Sequence, residues 1–375
     1  MSKLQGLINQ LCPNGVEFKT MGEICDFIRG PFGGSLKKEC FVNNGYAVYE
    51  QQNAIYNKLE FRYFIDENKY NELKRFIIHS NDLIVSCSGT IGKVMIIPNN
   101  APKGIINQAL LKLTPHRNIN SKYLKYLFEN SIETILNDCS RGGAIKNVPS
   151  VSELKKIKIP VPPIEVQTKI ANFLSLIDRK IELQEKLVEN LNLYKKGLLK
   201  KVFSNNLGWK SAKFDDIFKV ISTKKYQINS KEYLTFGKYP IIDQGKKKII
   251  GYSNNQDKVL KCRKDGLIVF GDHTRELKFI DFDFIVGADG VQLIYSSIVT
   301  TKYLYYYLQT CNIQNDGYSR HFKYLKEFNY LIPSIEEQNQ IANLFSNLDK
   351  KIELETKKLQ DLKTYKKGLL QKMFI

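Results

Sequence analysis

The sequence predicts an α+β fold: two mixed α/β domains with strand-rich cores, separated by two long helices that form an antiparallel coiled coil with approximate twofold symmetry. One segment of 40 residues occurs twice, 171 positions apart, and its apolar pattern is typical of paired helices. Outside the two copies, short apolar runs alternate with Gly, Pro and Asn, as in strands joined by turns. At 375 residues the chain also exceeds what one core usually supports, so we expect at least two globular units.

The repeat aligns residues 164–203 with 335–374 without a gap, and 22 of the 40 positions are identical. Each copy follows proline, at Pro163 and Pro333, and contains no further proline, as expected for a long helix. Apolar residues then recur every three or four positions, which favours two helices of about 60 Å that pack on each other. The alternative is that each helix only covers its own domain. Polar residues interrupt the apolar seam at matching places, Gln184 and Lys195 in the first copy and Glu355 and Lys366 in the second.

The repeat also sets the predicted domain boundaries. The segments are 1–160 (first mixed domain), 161–206 (first helix), 207–332 (second mixed domain) and 333–375 (second helix). Runs at 83–87, 94–97 and 105–113 are typical of short strands. Each mixed domain is expected to close with a helix, near 121–136 in the first and 301–308 in the second.

Positive charge is spread over both mixed domains. The chain has 57 Lys and Arg against 38 Asp and Glu, a net charge of +19. Each mixed domain carries +7, and the two helices carry +3 and +2. This distribution favours two separate surfaces that meet a polyanion, with nucleic acid as the leading class. The alternative is a basic surface without a partner.

The cysteine spacing and the lack of long apolar runs indicate in which cellular compartment the protein is expected. Seven cysteines are never closer than 13 positions, which excludes C-x-x-C metal or redox motifs and a dense disulfide framework. No run of about 18 uncharged apolar residues occurs, and the first residues lack the pattern of a secretory leader. We therefore expect a cytoplasmic protein with reduced thiols.

Motifs for catalysis are few. The sequence has no G-x-x-x-x-G-K-[ST] phosphate loop and no Asn/Asp-Pro-Pro-Tyr/Phe segment. Residues 276–278 match the E-x-K half of a nuclease site, but this tripeptide recurs by chance, as at 17–19. Four histidines show no metal-ligand spacing, so we expect no metal site. A nuclease or methyltransferase and a pure interaction scaffold remain the rival classes of function.

Loop clusters that mix Arg, His and Lys are the best binding candidates from the residues alone. They occur at 272–275 and 319–323 in the second mixed domain and at 140–147 in the first. Such side chains suit base edges or phosphates. The competing interpretation is a plain structural turn.

Two motifs carry a family resemblance. Residues 158–167, Lys-Ile-Pro-Val-Pro-Pro-Ile-Glu-Val-Gln, with Ile170-Ala171 after them, return in looser form at 332–342. This pattern resembles the junction of target recognition domain and conserved helix in specificity subunits of type I restriction-modification systems. Residues 82–92 and Asn107-Gln108 are also similar to such domains.

The resemblance implies a subunit without chemistry of its own. Two target recognition domains would each read half of a bipartite, asymmetric DNA sequence, and the helices would separate them and bind two methyltransferase subunits. S-adenosylmethionine would belong to those partners, and ATP and Mg²⁺ to a restriction subunit where one is present. Because 270–274 depart from the Ser-x-Ser-Gly-Thr pattern of 86–90, the two half-sites should differ.

The resemblance and the loops together give two sets of candidate residues. Candidates for DNA binding are Ser88, Thr90, Lys93, Arg141, Lys146, Lys246, Lys247, His273, Arg275, Arg320, His321 and Lys323. Candidates for the spacer helices and their partner contacts are Leu174, Ile177, Ile181, Leu191, Phe345, Leu348, Ile352 and Leu362.

Overall fold

The structure is a computed structural model that describes residues 12–13, 15–139, 149–204, 208–314, 317 and 319–373, with the backbone alone for 133–139. The chain divides into two compact units. Unit 1 comprises Met1–Leu183 and Leu359–Ile375, and unit 2 comprises Gln184–Lys358. Each unit therefore combines one mixed domain with part of both long helices.

Unit 1 is built from short strands and one long closing helix. Its strands are β1 (Glu17–Thr20), β2 (Cys25–Arg29), β3 (Phe41–Val42), β4 (Tyr46–Tyr49), β5 (Phe64–Ile65), β6 (Leu83–Ser86), β7 (Val94–Ile96), β8 (Gly104–Ile106), β9 (Leu110–Pro115) and β10 (Lys158–Val161). Its helices before the long spacer are α1 (Met21–Ile24), α2 (Gln51–Tyr56), α3 (Glu67–Glu72), α4 (Ser121–Cys139) and α5 (Val151–Lys155). One antiparallel sheet has the order β2-β9-β6-β7, and a second has the order β3-β5-β4-β8 with β4 parallel to β8.

The apolar run 105–113 is not one strand, as the sequence predicted, but two. The chain leaves the β4 sheet after β8 and enters the other sheet at β9. Asn107 makes the turn, because its side-chain oxygen accepts from the Ala109 backbone at 3.0 Å and its carbonyl accepts from Leu110 N at 3.2 Å. Apolar periodicity alone does not show such a change of sheet.

Unit 2 repeats this plan. Its strands are β11 (Lys210–Ala212), β12 (Lys219–Ile221), β13 (Tyr239–Ile242), β14 (Gly251–Ser253), β15 (Leu267–Gly271), β16 (Leu277–Ile280), β17 (Ile285–Val286), β18 (Val291–Tyr295) and β19 (Tyr330–Ile332). The sheet order β12-β18-β15-β16 matches β2-β9-β6-β7 of unit 1. The three-stranded order β14-β13-β17, with β13 parallel to β17, matches β5-β4-β8, and the sheet of unit 1 has β3 as a fourth strand. The fold class that the sequence predicts, α+β with strand-rich mixed domains, is therefore confirmed in both units.

Two long helices complete the elements. They are α6 (Ile164–Ser204) and α10 (Ile335–Met373). Between them in the chain lie the short helices α7 (Phe214–Ile217), α8 (Thr301–Leu308) and α9 (Phe322–Leu325). Both long helices begin directly after the proline-containing segments, where the fixed φ of proline favours a helix start.

A buried glutamine ties the start of each long helix to its mixed domain. The Gln167 side chain accepts from Asn120 N at 2.9 Å and donates to the Pro162 carbonyl at 2.9 Å. Gln338, at the equivalent position of the repeat, accepts from Thr300 N at 2.8 Å and donates to the Pro333 carbonyl. These bonds pair a backbone N–H of the loop before α4 in unit 1 and of the loop before α8 in unit 2. They explain why both copies of the motif contain glutamine.

Within unit 2 the two helices run antiparallel. Gln184 donates to the Glu355 carboxylate at 2.7 Å, Lys195 lies 2.6 Å from Asp349, and Phe203 stacks on Phe345 at 6.2 Å between ring centres. Residue numbers therefore rise along α6 as they fall along α10. The mutual packing that the seam predicts is confirmed, and the helices also cover the domain cores.

The predicted polar interruptions have partners in the seam. In unit 2 the Asp349 carboxylate contacts Lys195 and also accepts from the Tyr306 hydroxyl at 2.9 Å. In unit 1 the equivalent Asp178 lies 2.6 Å from Lys366 and accepts from the Tyr126 hydroxyl at 2.7 Å. A polar group that needs one particular partner fixes the register of paired helices. The interruptions therefore specify the alignment of α6 with α10 and with the closing helix of each unit.

Candidate nucleic-acid interface

In unit 1 the loops that follow β2, β4, β6 and β8 meet at one edge of the sheets. Asn107 N donates to the Tyr49 carbonyl at 2.9 Å, and Cys87 N donates to the Ala109 carbonyl at 3.1 Å. Gly30 is packed so closely on Asn107 that a Cβ there would clash with its carbonyl. We call residues 30–36, 50–53, 87–93 and 107–109 the loop edge of unit 1.

The loop after β6 is held in one conformation. Gln51 Oε1 accepts from Cys87 N at 3.2 Å and from Ser88 N at 3.0 Å. Ser86 closes the turn, since its hydroxyl donates to the Thr90 carbonyl at 2.6 Å and accepts from Lys93 N at 3.0 Å. The candidates Thr90 and Lys93 are exposed and Ser88 is half-buried. These bonds anchor both ends of the loop to the fold, while the side chains of Thr90 and Lys93 stay exposed.

Unit 2 builds the same edge from equivalent bonds. Gly287 N donates to the Ile242 carbonyl at 2.8 Å, and Asp272 N donates to the Gly290 carbonyl at 2.7 Å. Gln244 Oε1 accepts from His273 N at 3.1 Å, as Gln51 does in unit 1. We call residues 243–250, 271–276, 287–290 and 319–323 the loop edge of unit 2.

The segment 319–323 packs on this loop through Asp272, which is 2% exposed. The Asp272 carbonyl accepts from His321 N at 2.8 Å and lies 2.9 Å from His321 Nδ1. Its carboxylate accepts from Phe322 N at 2.8 Å. His321 is fully buried, so in this conformation it supports the loop edge and does not face a ligand.

The remaining candidates of unit 2 lie around the same edge. Arg320 and Lys323 are exposed, and His273 and Arg275 are half-buried. Arg275 has φ +61° and donates to the Ile313 carbonyl at 3.1 Å, so its guanidinium is partly engaged. Lys246 and Lys247 are exposed in the turn between β13 and β14. Arg141 and Lys146, the candidates of unit 1 from the segment 140–147, lie outside the described residues.

Sequence reasoning missed the two glutamines that hold the loops. Gln51 and Gln244 each stand two residues after a strand, directly behind an acidic residue, and are 193 positions apart. Ile24 and Ile217 of the two mixed domains have the same offset, so a comparison of strand ends would have found the glutamine pair. Their bonds to residues 29 to 37 positions away are not visible in a sequence.

An exposed aromatic and an ion pair at the unit 1 edge were also missed. Phe32 is 92% exposed. Arg62 donates to both carboxylate oxygens of Glu50, at 2.8 and 2.9 Å, and its own side chain is 62% exposed. The two bonds fix the position of the largely exposed guanidinium beside the buried Glu50.

Residues 276–278, which match half of a nuclease motif, are part of the fold of unit 2. Lys278 is buried, and its ammonium donates to the Asp243 carbonyl at 2.7 Å. Burial lowers the pKa of Lys278, while Asp243 opposes that shift. Among the described residues, no three His, Cys, Asp or Glu side chains gather in a way that would hold a metal ion.

The spacer candidates lie in or beside the helix seam. Leu174 and Phe345 are fully buried, and Ile177 is 9% exposed. The half-buried members are Ile181, Leu191, Leu348, Ile352 and Leu362. In the described part of the chain, no helix is long and apolar enough to cross a membrane.

Comparisons with known proteins identify this arrangement. The chain combines two mixed domains that have equivalent loop edges, and each domain is joined to a long helix. A model of the type I restriction modification DNA specificity domain matches residues 13–193 and 206–364. The chain therefore belongs to this family, with two copies of the domain, and the resemblance seen in the sequence is confirmed.

Individual relatives span nearly the whole chain. A putative type I restriction enzyme MjaX specificity subunit of Methanocaldococcus jannaschii is 25% identical, with 96% of this chain and 92% of that protein covered. The crystal structure of a type I restriction-modification S subunit from M. genitalium is 18% identical over 96% of this chain and 97% of that one, with a TM-score of 0.62. A chain from a structural study of complex assembly and conformational transition of the type I R-M system is 15% identical, covers 96% and 98%, and has a TM-score of 0.58. The two structures support the fold.

Proposed function

We propose that this chain is the DNA specificity subunit of a type I restriction-modification complex and reads a bipartite, asymmetric DNA sequence. The observation that carries the proposal is the loop edge, which occurs twice with the same glutamine-held backbone but different exposed side chains. One edge presents Thr90 and Lys93, and the other presents Lys246, Lys247 and Arg320. Different side chains on the same scaffold read different bases, so the two half-sites differ in sequence.

The chain contributes recognition and no chemistry of its own. S-adenosylmethionine binds to the partner methyltransferase subunits, and ATP with Mg²⁺ binds to a restriction subunit where the system has one. The long helices set the number of unread base pairs between the half-sites. In a cytoplasmic complex of this kind, the chain decides where on the DNA its partners act.

Equivalent exposed apolar side chains favour two methyltransferase partners. Unit 1 exposes Phe173, Leu183 and Tyr365 by 42%, 52% and 55%. Unit 2 exposes the same positions of the repeat, Leu344, Leu354 and Tyr194, by 46%, 53% and 61%. Single exposed apolar side chains are common on protein surfaces, so it is their occurrence at the same three repeat positions in both units that favours an interface. Two equivalent sets fit two copies of one partner.

The proposal is tested by DNA binding of the chain in complex with its methyltransferase. We expect affinity for DNA with the recognised sequence to exceed that for scrambled DNA, and to fall steeply between about 50 and 200 mM salt, because Lys and Arg contacts to phosphates release counterions. Affinity that ignores both sequence and salt would overturn the nucleic-acid function. It would leave an interaction scaffold as the better account.

Substitution of the exposed leucines is expected to weaken assembly without unfolding the chain. Leu183→Ser with Leu354→Ser removes one apolar contact from each set, so affinity for the methyltransferase should fall by about tenfold or more per site. The free energy of unfolding should change by less than about 0.5 kcal/mol per residue. Phe345→Ala is the matched contrast, because this buried ring should cost about 3–5 kcal/mol of stability. Undiminished assembly by the leucine variant in sedimentation would remove these positions from the interface.

Gln51→Met is expected to relax recognition of one half-site. The variant keeps the size of the side chain but removes the acceptor of two backbone N–H groups, which costs about 1–3 kcal/mol where such groups stay buried. Gln51→Glu retains an acceptor oxygen and serves as the control. Binding is measured against duplexes with single substitutions in each half. Equal losses of discrimination in both halves would contradict the role of Gln51 in one loop edge.

A further inference from the structure

An exposed arginine is anchored by a carboxylate in unit 1. Arg62 lies between α2 and β5, and its side chain is 62% exposed. Its Nε donates to one carboxylate oxygen of Glu50 at 2.9 Å, and its Nη2 donates to the other at 2.8 Å. Glu50 follows β4 directly, and its side chain is only 11% exposed. The fold therefore fixes the carboxylate, and the carboxylate holds the guanidinium from one side.

An aromatic pair holds the same guanidinium from a second side. Its central carbon lies 5.4 Å from the centre of the Tyr63 ring, and that ring stacks on Phe41 at 4.4 Å between ring centres. A free arginine on a surface samples many rotamers, and binding a ligand costs the entropy of ordering it. Because two contacts already order Arg62, most of that cost is removed before a ligand binds.

The anchored guanidinium adjoins the loop edge of unit 1. A cavity of about 130 Å³ includes Glu50, Tyr63, Phe32 and Gln108 in its lining. Glu50, Phe32 and Gln108 come from three different segments of the loop edge. Phe32 is 92% exposed, so this part of the edge is open to solvent. A ligand that lies on the loop edge therefore comes within reach of Arg62.

The donors that remain on Arg62 form a parallel pair. Arginine has five N–H donors, and Glu50 takes one on Nε and one on Nη2. In the part of the chain that the structure describes, Nη1 makes no hydrogen bond. One N–H of Nη1 and the second N–H of Nη2 are left side by side at the end of the guanidinium. In the major groove such a pair matches guanine, which presents two acceptors, O6 and N7, whereas adenine presents one acceptor and one donor.

The equivalent acid of unit 2 is used differently. Asp243 stands 193 positions after Glu50 and directly after β13. Its carboxylate accepts from Gly245 N at 2.9 Å and lies 3.4 Å from the ammonium of Lys278, whose side chain is 6% exposed. This acid contacts a buried lysine and not an exposed arginine. The anchored guanidinium is therefore a difference between the two otherwise equivalent edges.

We infer that Arg62 reads a guanine in the half-site bound by unit 1, with Nη1 and Nη2 donating to O6 and N7 of the base and Glu50 as the positioning residue. This rests on the proposed function. A planar guanidinium held by a carboxylate presents its two end donors in one orientation, which a lysine cannot do. A phosphate could accept from the same donors, but that contact would be independent of sequence. Experiment separates the two.

The test is binding of the chain, in complex with its methyltransferase, to duplexes in which each guanine of the recognised sequence is replaced in turn by 7-deazaguanine. This base pairs normally but has C–H in place of the N7 acceptor. The unchanged chain should lose about tenfold or more at the guanine that Arg62 reads. Arg62→Lys keeps the charge without the paired donors, so it should bind the original duplex about 5- to 150-fold more weakly and be insensitive to 7-deazaguanine at that one position.

Two further variants serve as comparisons. Arg117→Lys is the matched control, because Arg117 is exposed and follows the end of β9, the strand that leads away from the loop edge. It should keep the response of the unchanged chain at every guanine. Glu50→Gln keeps Arg62 but weakens its anchor, and should reduce discrimination at the same guanine and at no other.

Two results would overturn the assignment of Arg62 to a guanine. One is an Arg62→Lys variant that stays sensitive to 7-deazaguanine wherever the unchanged chain is sensitive. The other is a loss of affinity in Arg62→Lys that is equal for all sequences, as a phosphate contact gives. Sequence-dependent binding by the unchanged chain distinguishes either result from failure of the proposed function.

Discussion

Exchange of residues 207–332 for the corresponding domain of a relative is expected to replace one half of the recognised DNA sequence and to leave the other half intact. The exchanged segment carries the whole loop edge of unit 2 and both strands of the small β11–β19 sheet. Its ends fall outside the long helices, since α6 ends at Ser204 and α10 begins at Ile335. Recognition by that edge should therefore move with the segment as a module.

The donor domain must keep its contacts with the helices. In this chain Tyr306 donates to Asp349 at 2.9 Å, and Thr300 N donates to Gln338 at 2.8 Å. A domain from a relative should fold on the helices without strain if it has tyrosine at the position of Tyr306 and a backbone N–H at the position of Thr300. Mapping of methylated adenines in DNA modified by the hybrid complex gives the outcome. A hybrid that folds and methylates but changes both halves would contradict modular reading.

Insertion of four residues after Leu187 and four after Lys358 is expected to lengthen the unread spacer and preserve both half-sites. Four residues add about 5–6 Å of helix, against roughly 3.4 Å per base pair of DNA. The spacer should therefore grow by one or two base pairs. Insertion in both helices is needed because the Lys195–Asp349 and Lys366–Asp178 pairs otherwise lose their register.

The matched insertion has a local cost that the structure defines. Gln184 donates to Glu355 at 2.7 Å. The insertion after Leu187 separates Gln184 from Lys195, and the insertion after Lys358 separates Glu355 from Lys366. That bond is lost, while both lysine–aspartate pairs remain. A four-residue insertion also unwinds a coiled coil locally. The same half-sites at the old spacing would show that the helices do not set the distance between them. Insertion after Leu187 alone is the control, because it shifts one helix out of register with the other.

The long helices could be predicted because their signals are local and repeated. A gap-free repeat, proline before each copy and an apolar residue every three or four positions determine the helix starts and the seam. The partners of the polar interruptions could not be predicted in this way. Lys195 reads as a break in an apolar pattern, and only the fold brings Asp349 and Tyr306 to it.

The loop edges were predictable only in outline. Charge and small residues pointed to the loops near Thr90 and His273, which lie at equivalent strand ends. Their support by Gln51 and Gln244 depends on pairing between sheets, which a sequence does not show. His321 stands beside Arg320 in the sequence, yet one is fully buried and the other exposed. Neighbouring polar residues in an irregular segment give no periodicity from which burial can be deduced.

Genome-wide mapping of methylated adenines, after co-expression of this chain with its partner methyltransferase, tests the central claim most directly. The account predicts methylation within a single split sequence whose two halves differ and are separated by a constant number of unread base pairs. Without the chain, that methylation should disappear. Methylation of the same sequence in its absence, or of a continuous site with no unread spacer, would contradict the claim that this chain reads DNA with two separate domains.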